Sequence, residues 1–159
     1  MILVTLGTQD KGFERLLEAV EQMLLTGEIE EEVVAQIGYS KYTSSHMKIF
    51  DFVDRDKMEK LVDSCSLLIT HGGVGSIISG LNHQKPVIAA ARLKKYGEHT
   101  NDHQKQIIRE FVKQGYIVEL KNFKKIKEAI EEAKKLKPRA YESNTDNMIR
   151  LITDFIDTH

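Results

Sequence analysis

Short apolar runs alternate with amphipathic segments along most of this chain. The runs predict buried strands at residues 1–6, 33–37, 48–53, 67–70, 86–90 and 116–120. Apolar positions at helical spacing predict helices near 13–25, 54–64, 76–83, 101–114, 122–135 and 144–157. Apolar strands that alternate with helices are typical of a parallel sheet covered on both faces. The pattern therefore predicts a Rossmann-like, doubly wound α/β fold, which binds ligands at the carboxyl ends of its strands.

Length and composition indicate one ordinary globular domain. We expect it to span residues 1–159, with a core at 1–120 and closing helices at 121–159. The formal net charge of −1 predicts no nucleic-acid partner. Cys65 is the single cysteine, so no internal disulfide can form, and its apolar neighbours favour a core position. We find no signal peptide and no run of about 20 apolar residues, so we expect a cytoplasmic protein.

Residues 70–76 join a predicted strand to a predicted helix and read Thr-His-Gly-Gly-Val-Gly-Ser. Glycines let a ligand approach the backbone closely, and the following helix offers unpaired N–H groups and a positive dipole end. These features favour a phosphate or diphosphate, and Ser76 is placed to cap the helix or to donate to a phosphate oxygen. The alternative is a tight turn without a ligand. A Walker motif is excluded, because no Gly-Lys-Ser/Thr follows, and a dinucleotide fingerprint is disfavoured.

His71 directly precedes these glycines. A neutral imidazole there would steady the loop, whereas a protonated one would offset diphosphate charge. A metal role is disfavoured, because His83, His99 and His103 show no metal-ligand spacing with it.

A second polar cluster occupies residues 92–104, again between a strand and a helix. Its carboxylate, imidazole and amide side chains provide the paired donors and acceptors that sugar hydroxyls need, since an unpaired buried polar group costs about 1–3 kcal/mol. The alternative is that Asn101 or Asp102 caps the helix and that the remaining side chains are solvated.

Together these clusters resemble the carboxyl-terminal domain of the UDP-sugar transferases of GT-B fold, the glycosyltransferase family 28 type. The likeness is greatest to a two-subunit subset, in which donor and acceptor domains are separate proteins. In the dolichol-linked N-acetylglucosaminyltransferase, the small subunit carries His-Ala-Gly-x-Gly-Ser and Asn-His-Gln. Bacterial capsule and exopolysaccharide subunits carry Gly-Glu-His-x-x-Asp-His-Gln, which matches residues 97–104. The Val-Thr-x-Gly-Thr opening matches residues 4–8, and Gln-Ile-Gly matches 36–38.

The resemblance implies a donor-binding role for particular residues. Near the diphosphate it places Gly7, Thr8, His71, Gly73, Gly75 and Ser76, and near the uracil it places Phe52 and Val53. The donor sugar would meet Asp102, His103 and Gln104, and the bacterial pattern adds Glu98 and His99 to the donor site. Related transferases carry a ribose-binding glutamate where this chain has Ser79, so that contact is weaker here or is supplied elsewhere. Ala91 likewise replaces a common proline.

The function that the resemblance implies is the donor-binding catalytic subunit of a two-component inverting glycosyltransferase. It would transfer a sugar from a UDP-sugar to a lipid-linked saccharide acceptor in exopolysaccharide or capsule biosynthesis. A membrane-anchored, acceptor-binding partner would hold it at the inner face of the membrane. We expect no cofactor and no required metal. His71 and Glu98 are candidates for the general base, with the partner as the alternative source.

Other functions remain open at this level. The main alternative is a non-catalytic UDP-sugar-binding regulatory or interaction subunit. A UDP-sugar epimerase is disfavoured, because the chain lacks a nicotinamide fingerprint with a Tyr-x-x-x-Lys pair. The apolar face of the helix near 144–157 would pack on the domain's own sheet or dock on the partner. The Lys-rich segment 121–137 is expected to be a solvated helix, and contact with lipid headgroups is the alternative.

Overall fold

A computed structural model of the chain describes residues 1–136. Six parallel strands form one sheet in the order β3-β2-β1-β4-β5-β6. They are β1 Ile2–Thr5, β2 Val33–Gln36, β3 Lys48–Phe50, β4 Leu67–His71, β5 Val87–Ala90 and β6 Val118–Glu119. The predicted fold class and all six predicted strands are confirmed, although most strands are shorter than their apolar runs. The predicted helix near 144–157 lies outside the described residues.

Within residues 1–136, five α-helices connect and follow these strands. They are α1 Glu14–Leu25, α2 Arg55–Ser64, α3 Val74–Asn82, α4 His103–Lys113 and α5 Ile126–Lys135, with 3-10 turns at Lys94–Tyr96 and Phe123–Lys125. Asp54 caps α2 as its sequence position predicts, because its carboxylate accepts a hydrogen bond from the Lys57 amide at 2.8 Å. None of the helices within residues 1–136 is long and apolar enough to cross a bilayer.

The start of α3 differs from the prediction. Gly73 occupies its N-cap position and the helix begins at Val74, two residues earlier than expected. The prediction that Ser76 caps the helix is therefore wrong, since Ser76 lies within the first turn. Glycine is accepted at an N-cap position even though it has no side chain to cap the helix, so α3 can begin directly after Gly73.

The core has one layer on each face of the sheet, as alternating side chains of a strand require. Ile2, Val4 and Leu6 pack on one face against α1 and α5. Leu3 points to the other face, into a cluster with side chains of α2, α3 and α4. Cys65 belongs to this second cluster and is 2% exposed, which confirms its predicted core position. Burial also raises the pKa of its thiol.

The strand order places a topological switch point beside β1. The chain passes from β1 to β2 and β3 on one side, then returns to β4 on the other side. The loops that leave β1 and β4 consequently diverge at the carboxyl edge of the sheet. Such a crevice is where doubly wound domains bind their ligands.

Candidate functional site

A cavity of about 270 Å³ opens at this crevice, and we call it the donor pocket after the donor site that the sequence resemblance predicts. Predicted donor residues contribute to its lining: Gly7, Thr8, Val53, Gly75, Ser76 and Ser79. Phe52 adds an aromatic ring at the mouth, and Met58, Val62 and Leu68 form an apolar wall. No lysine or arginine belongs to the lining among residues 1–136. The pocket therefore combines an apolar side with one rich in backbone amides and hydroxyls.

The amides come from the first turn of α3. Ile77 is the first residue after Gly73 whose amide bonds within the helix, to the Gly73 carbonyl at 3.2 Å. The amides of Val74, Gly75 and Ser76 precede this bond, so the helix supplies them no acceptor. With the positive end of the helix dipole, they form a site suited to an anion such as a diphosphate.

The imidazole of His71 lies between two glycines behind this turn. A Cβ atom added at Gly7 would lie 2.4 Å from His71 Nε2, and one added at Gly73 would lie 2.3 Å from Cε1. Gly7 also has a φ of +76°, which disfavours residues with a side chain. The buried ring thus requires glycine on both sides, and it joins the loop after β1 to the loop after β4.

Gln104 fixes the proton position on His71. Its Oε1 accepts hydrogen bonds from the amides of Gly72 and Arg92, each at 3.0 Å, so its Nε2 faces His71 Nδ1 at 3.2 Å. Because the Gln104 NH₂ group can only donate, Nδ1 must accept and the imidazole proton is assigned to Nε2. That proton is near the Ser76 hydroxyl, 3.4 Å away.

His71 is accordingly neutral in this fold. Burial is the main cause that lowers its pKa to about 3, and the charge of Arg92 adds to the effect. Of the two roles left open by the sequence, the structure favours a neutral ring that steadies the loop. An Nε2–H tautomer cannot take a proton at that nitrogen, which weighs against a general base at His71. Its catalytic role stays a prediction.

Gln104 itself lies inside the protein, 5% exposed. Its hydrogen bonds to Gly72, Arg92 and His71 hold the glycine loop and the segment after β5 together. Contact with a donor sugar stays a prediction, and the structure adds a positioning role that sequence reasoning did not identify.

Gln36 makes the corresponding contacts on the other side of the pocket. Its Oε1 accepts from the Leu6 and Gly7 amides, both at 3.1 Å, and its Nε2 donates to the carbonyls of Gly7 and Asp51 at 3.0 Å. The loops after β1 and β3 are therefore joined by one buried amide side chain. The Gln-Ile-Gly match of residues 36–38 was the sequence signal for this contact.

Arg92 is a buried hub that sequence reasoning missed. Its side chain is 1% exposed, and its guanidinium donates to the carbonyls of Leu6, Lys11 and Glu98. Burial lowers its pKa. A guanidinium remains charged even when desolvated, so these carbonyl contacts hold the loops after β1 and β5 in one arrangement.

The predicted catalytic candidate Glu98 lies beside this hub and is not part of the donor-pocket lining. Its two carboxylate oxygens accept from Arg15 at 2.9 and 3.0 Å, and Oε1 also accepts from the Leu93 amide at 3.0 Å. It is 4% exposed. These contacts favour a positioning role over proton transfer, and a catalytic role for Glu98 stays a prediction.

The remaining residues of the second cluster mainly close their own loop. Asp102 occupies the N-cap of α4, but its carboxylate accepts from the Lys94 amide at 2.8 Å instead of a helix amide. Asn101 accepts from the amide of His103, the first residue of α4, and His99 Nδ1 accepts from the Asn101 amide. Burial lowers the pKa of His99. Contacts of His99, Asp102 and His103 with a donor sugar stay predictions.

Comparison with known protein families identifies the domain. The model of the glycosyltransferase family 28 C-terminal domain matches residues 1–158. The chain belongs to this family. No curated protein matches its sequence.

Solved structures show that this family 28 domain has the fold of the C-terminal half of GT-B glycosyltransferases. The NMR structure of ALG13 superposes with a TM-score of 0.61 at 21% identity, covering 96% of this chain and 94% of ALG13. The kitacinnamycin glycotransferase (TM-score 0.62, 16% identity) is covered over 34% of its length by 84% of this chain. The calicheamicin glycosyltransferase CalG4 (0.58, 15%) is covered over 34% by 82% of this chain. The chain thus spans about a third of these two larger enzymes.

The family 28 domain carries a carboxylate close to Ser79, the position at which the sequence lacks the glutamate of related transferases. Glu59 of α2 lines the donor pocket and accepts a hydrogen bond from the Ser79 hydroxyl at 3.1 Å. His83 Nε2 lies 2.6 Å from its other oxygen, and this contact, with Ser79, holds the pKa of Glu59 below its usual value. The same contact raises the pKa of His83. Glu59 is thereby fixed as an ionised group at the pocket wall.

A metal-binding cluster is not found in the described part of the family 28 domain, where no three His, Cys, Asp or Glu side chains are suitably grouped. The expectation that no metal is required stays a prediction.

Proposed function

We propose that the donor pocket binds a UDP-sugar and that the chain is the donor-binding catalytic subunit of a two-component inverting glycosyltransferase. The acceptor would be a lipid-linked saccharide of exopolysaccharide or capsule biosynthesis. The observation that carries the proposal is the donor pocket itself. In a domain of glycosyltransferase family 28, its cavity lies at the switch point and joins an apolar wall to the amide-rich first turn of α3.

The amide-rich side is suited to the diphosphate. The first-turn amides of α3 and the Ser76 hydroxyl can donate to its oxygens, and the helix dipole favours the negative charge. Charge on the diphosphate increases as UDP leaves, so the same groups would stabilise the transition state. The proposal needs no metal, because dipoles offset the developing charge. Neutral His71 would support the turn and add an Nε2–H donor near Ser76.

The apolar side is suited to the nucleoside. Phe52 and Val53 follow β3 and line the pocket opposite α3. The Glu59 carboxylate lies between these two sides and contacts Ser79. It would replace the ribose-binding carboxylate that related transferases carry at the position of Ser79. An ionised carboxylate can accept hydrogen bonds from both ribose hydroxyls, so Glu59 is our candidate for that contact.

The two-component part of the proposal rests on residues 97–104. These residues repeat the pattern of the bacterial two-subunit enzymes. A membrane-anchored partner would supply the acceptor site and the general base, since Glu98 is held by Arg15. The chain would then work at the cytoplasmic face of the membrane.

Nucleotide binding is the first test. Titration calorimetry of the full chain should show UDP binding and at least about tenfold weaker ADP binding. Ser76→Ala should weaken UDP binding about tenfold through loss of a charge-assisted hydrogen bond. Ser45→Ala changes an exposed hydroxyl outside the donor pocket and serves as the matched control. Absence of binding at millimolar UDP, with the partner present, would refute the donor site.

Transfer is the second test. Co-expression with a membrane protein encoded beside this chain should yield sugar transfer to a lipid-linked acceptor. UDP-sugar binding without transfer by any such pair would support the non-catalytic regulatory alternative.

A further inference from the structure

A second cavity, of about 350 Å³, lies at the carboxyl ends of β5 and β6, and we call it the cationic groove. Its lining carries five basic side chains: Arg15, Lys95, Lys105, Arg109 and Lys121. Glu119 is the acidic residue of this lining within residues 1–136. Even when the Arg15-bound Glu98 is counted as well, the groove keeps an excess of three positive charges. The whole chain has a net charge of −1, so this concentration is local.

Arg15 is held rigidly in this groove. Its Nε and one terminal nitrogen, Nη2, pair with Glu98, and its guanidinium carbon lies 4.0 Å from the Phe123 ring centroid and 4.4 Å from that of Tyr96. The other terminal nitrogen, Nη1, has no protein acceptor among residues 1–136. A guanidinium fixed between two rings loses little further freedom when it binds an oxyanion, so it is preorganised for that contact.

Lys105 and Arg109 also indicate a ligand, because the described fold does not compensate their charges. They lie one turn apart on α4 and both line the groove. Like charges at this spacing destabilise a helix by a few tenths of a kcal/mol. Within residues 1–136, no carboxylate lies within 4.0 Å of either side chain, nor of Lys95 or Lys121. The described fold gains no ion pair from these four cations, although they converge on one cavity.

We propose that the cationic groove binds a phosphate or diphosphate group of a ligand other than the donor nucleotide. The cations of the groove are carried by a 3-10 turn, by helices and by a loop, and they converge on one cavity. This arrangement suits a compact, multiply charged oxyanion, which can accept hydrogen bonds from several donors at once. The groove is concave, whereas a bilayer surface would meet a flat or convex basic face. The group can belong to a lipid or to a soluble molecule, because both present the same oxygens. This inference goes beyond the donor pocket, with which the groove shares no lining residue.

The test is a titration of the isotope-labelled full chain with inorganic diphosphate, followed by NMR of the backbone amides. Resonances of residues 93–96, 105–109 and 119–123 should shift saturably. The double variant Lys105→Gln/Arg109→Gln should weaken this binding about tenfold or more. Lys121→Gln, on a separate loop, should weaken diphosphate binding less but measurably. This variant shows that the loss does not come only from a local change in α4.

The matched control is Lys60→Gln/Lys113→Gln, which removes the same charge from exposed positions outside both cavities. It should bind diphosphate as the parent chain does. Equal weakening by the control would overturn the proposal in favour of a general charge effect. Shifts confined to residues 73–77, or no shifts at all, would overturn it too. UDP binding is followed at the donor pocket, which shares no lining residue with the groove. Failure of the donor-site proposal can therefore be distinguished from failure of this one.

Vesicle sedimentation distinguishes the two sources. Vesicles of phosphatidylcholine that contain a polyprenyl diphosphate should bind the chain if the group belongs to a lipid, and inorganic diphosphate should compete. Binding of free diphosphate without vesicle binding would assign the groove to a soluble ligand; either result supports the site. Equal binding to phosphatidylglycerol vesicles that diphosphate does not compete for would overturn it.

Discussion

The donor pocket and the cationic groove lie at the same edge of one sheet but differ in the groups that they would offer to an anion. Neither lysine nor arginine belongs to the donor-pocket lining among residues 1–136, and the buried His71 beside it is neutral. Its potential donors to an anion are backbone amides and hydroxyls. The groove instead presents five basic side chains. If both proposals hold, backbone dipoles in one cavity and charged side chains in the other serve the same class of ligand, and binding in the two cavities should differ in its sensitivity to packing, pH and salt.

Packing should matter most in the donor pocket. Gly73→Ala places a methyl group against the His71 ring, so we expect the glycine loop to move, UDP affinity to fall about 100-fold and stability to fall by about 1–3 kcal/mol. Calorimetry and urea unfolding measure these effects. Diphosphate binding in the groove should persist. Gly75→Ala is the stability control, since its added Cβ meets no atom within 4 Å. An unchanged UDP affinity in Gly73→Ala would contradict the role of the loop.

The neutral His71 should make stability depend on pH. Its folded pKa of about 3 lies below the unfolded value near 6.5, so as pH falls between these values the unfolded chain binds a proton that the folded chain excludes. Stability is therefore complete above about pH 6.5 and should be lost by up to about 1.4 kcal/mol per unit below it. His99, whose pKa is also lowered, acts with the same sign.

Urea unfolding at pH 7, 6 and 5 measures this slope. His71→Gln should reduce it, whatever its effect on stability at pH 7. His83, whose pKa is raised, acts with the opposite sign above about pH 6.5, because its contribution is complete below that pH and is lost as pH rises through the folded value. The interval from pH 6 to pH 5 therefore reports the groups with lowered pKa. A His71 resonance that titrates near pH 6.5 in the folded chain would show the assignment to be wrong.

Salt should separate the two cavities. Exposed cations are screened strongly, whereas dipoles in a partly enclosed pocket are not. Raising salt from about 0.05 to 0.5 M should lower diphosphate affinity of the groove about tenfold or more, and UDP affinity of the donor pocket by less than about threefold. Parallel titrations at both concentrations measure the difference. Similar salt dependence in the two cavities would remove the proposed distinction between them.

The smallest effect concerns the carboxylate in the donor pocket. Glu59→Gln should weaken UDP binding about three- to tenfold, because one charged acceptor for the ribose hydroxyls is lost. Binding of 2′-deoxy-UDP should change less. Asp63→Asn is the matched control, since Asp63 also contacts His83 but does not line the pocket. Equal losses for both nucleotides would argue that Glu59 acts on the pocket's structure and not on the ribose.

Pattern alone was sufficient for the architecture, and it singled out candidate site residues whose role stays a prediction. Apolar runs determined the six strands, since buried parallel strands must be apolar on both faces. The glycines at Gly7 and Gly73 were recognisable because few other residues allow so close an approach. Gly7, Thr8, Val53, Gly75, Ser76 and Ser79 were then placed in one pocket by the switch-point topology. Arg92 and Glu59 were not identified as functional side chains, because single polar residues carry no periodic signal. Gln36 was matched within Gln-Ile-Gly, but the match assigned no contact to its side chain.

By itself, the sequence determined the α/β fold, the glycine turn before α3 and the order of polar residues at 97–104. These depend on local properties, namely hydrophobic period, backbone freedom and residue order. Only the tertiary structure decided that Gln104 orients His71, that Glu98 is paired with Arg15, and that Glu59 faces Ser79. Such contacts join residues 20 to 83 positions apart. The direction of a polar side chain depends on the packing around it, so only the complete sheet with its two helical layers determines these partners.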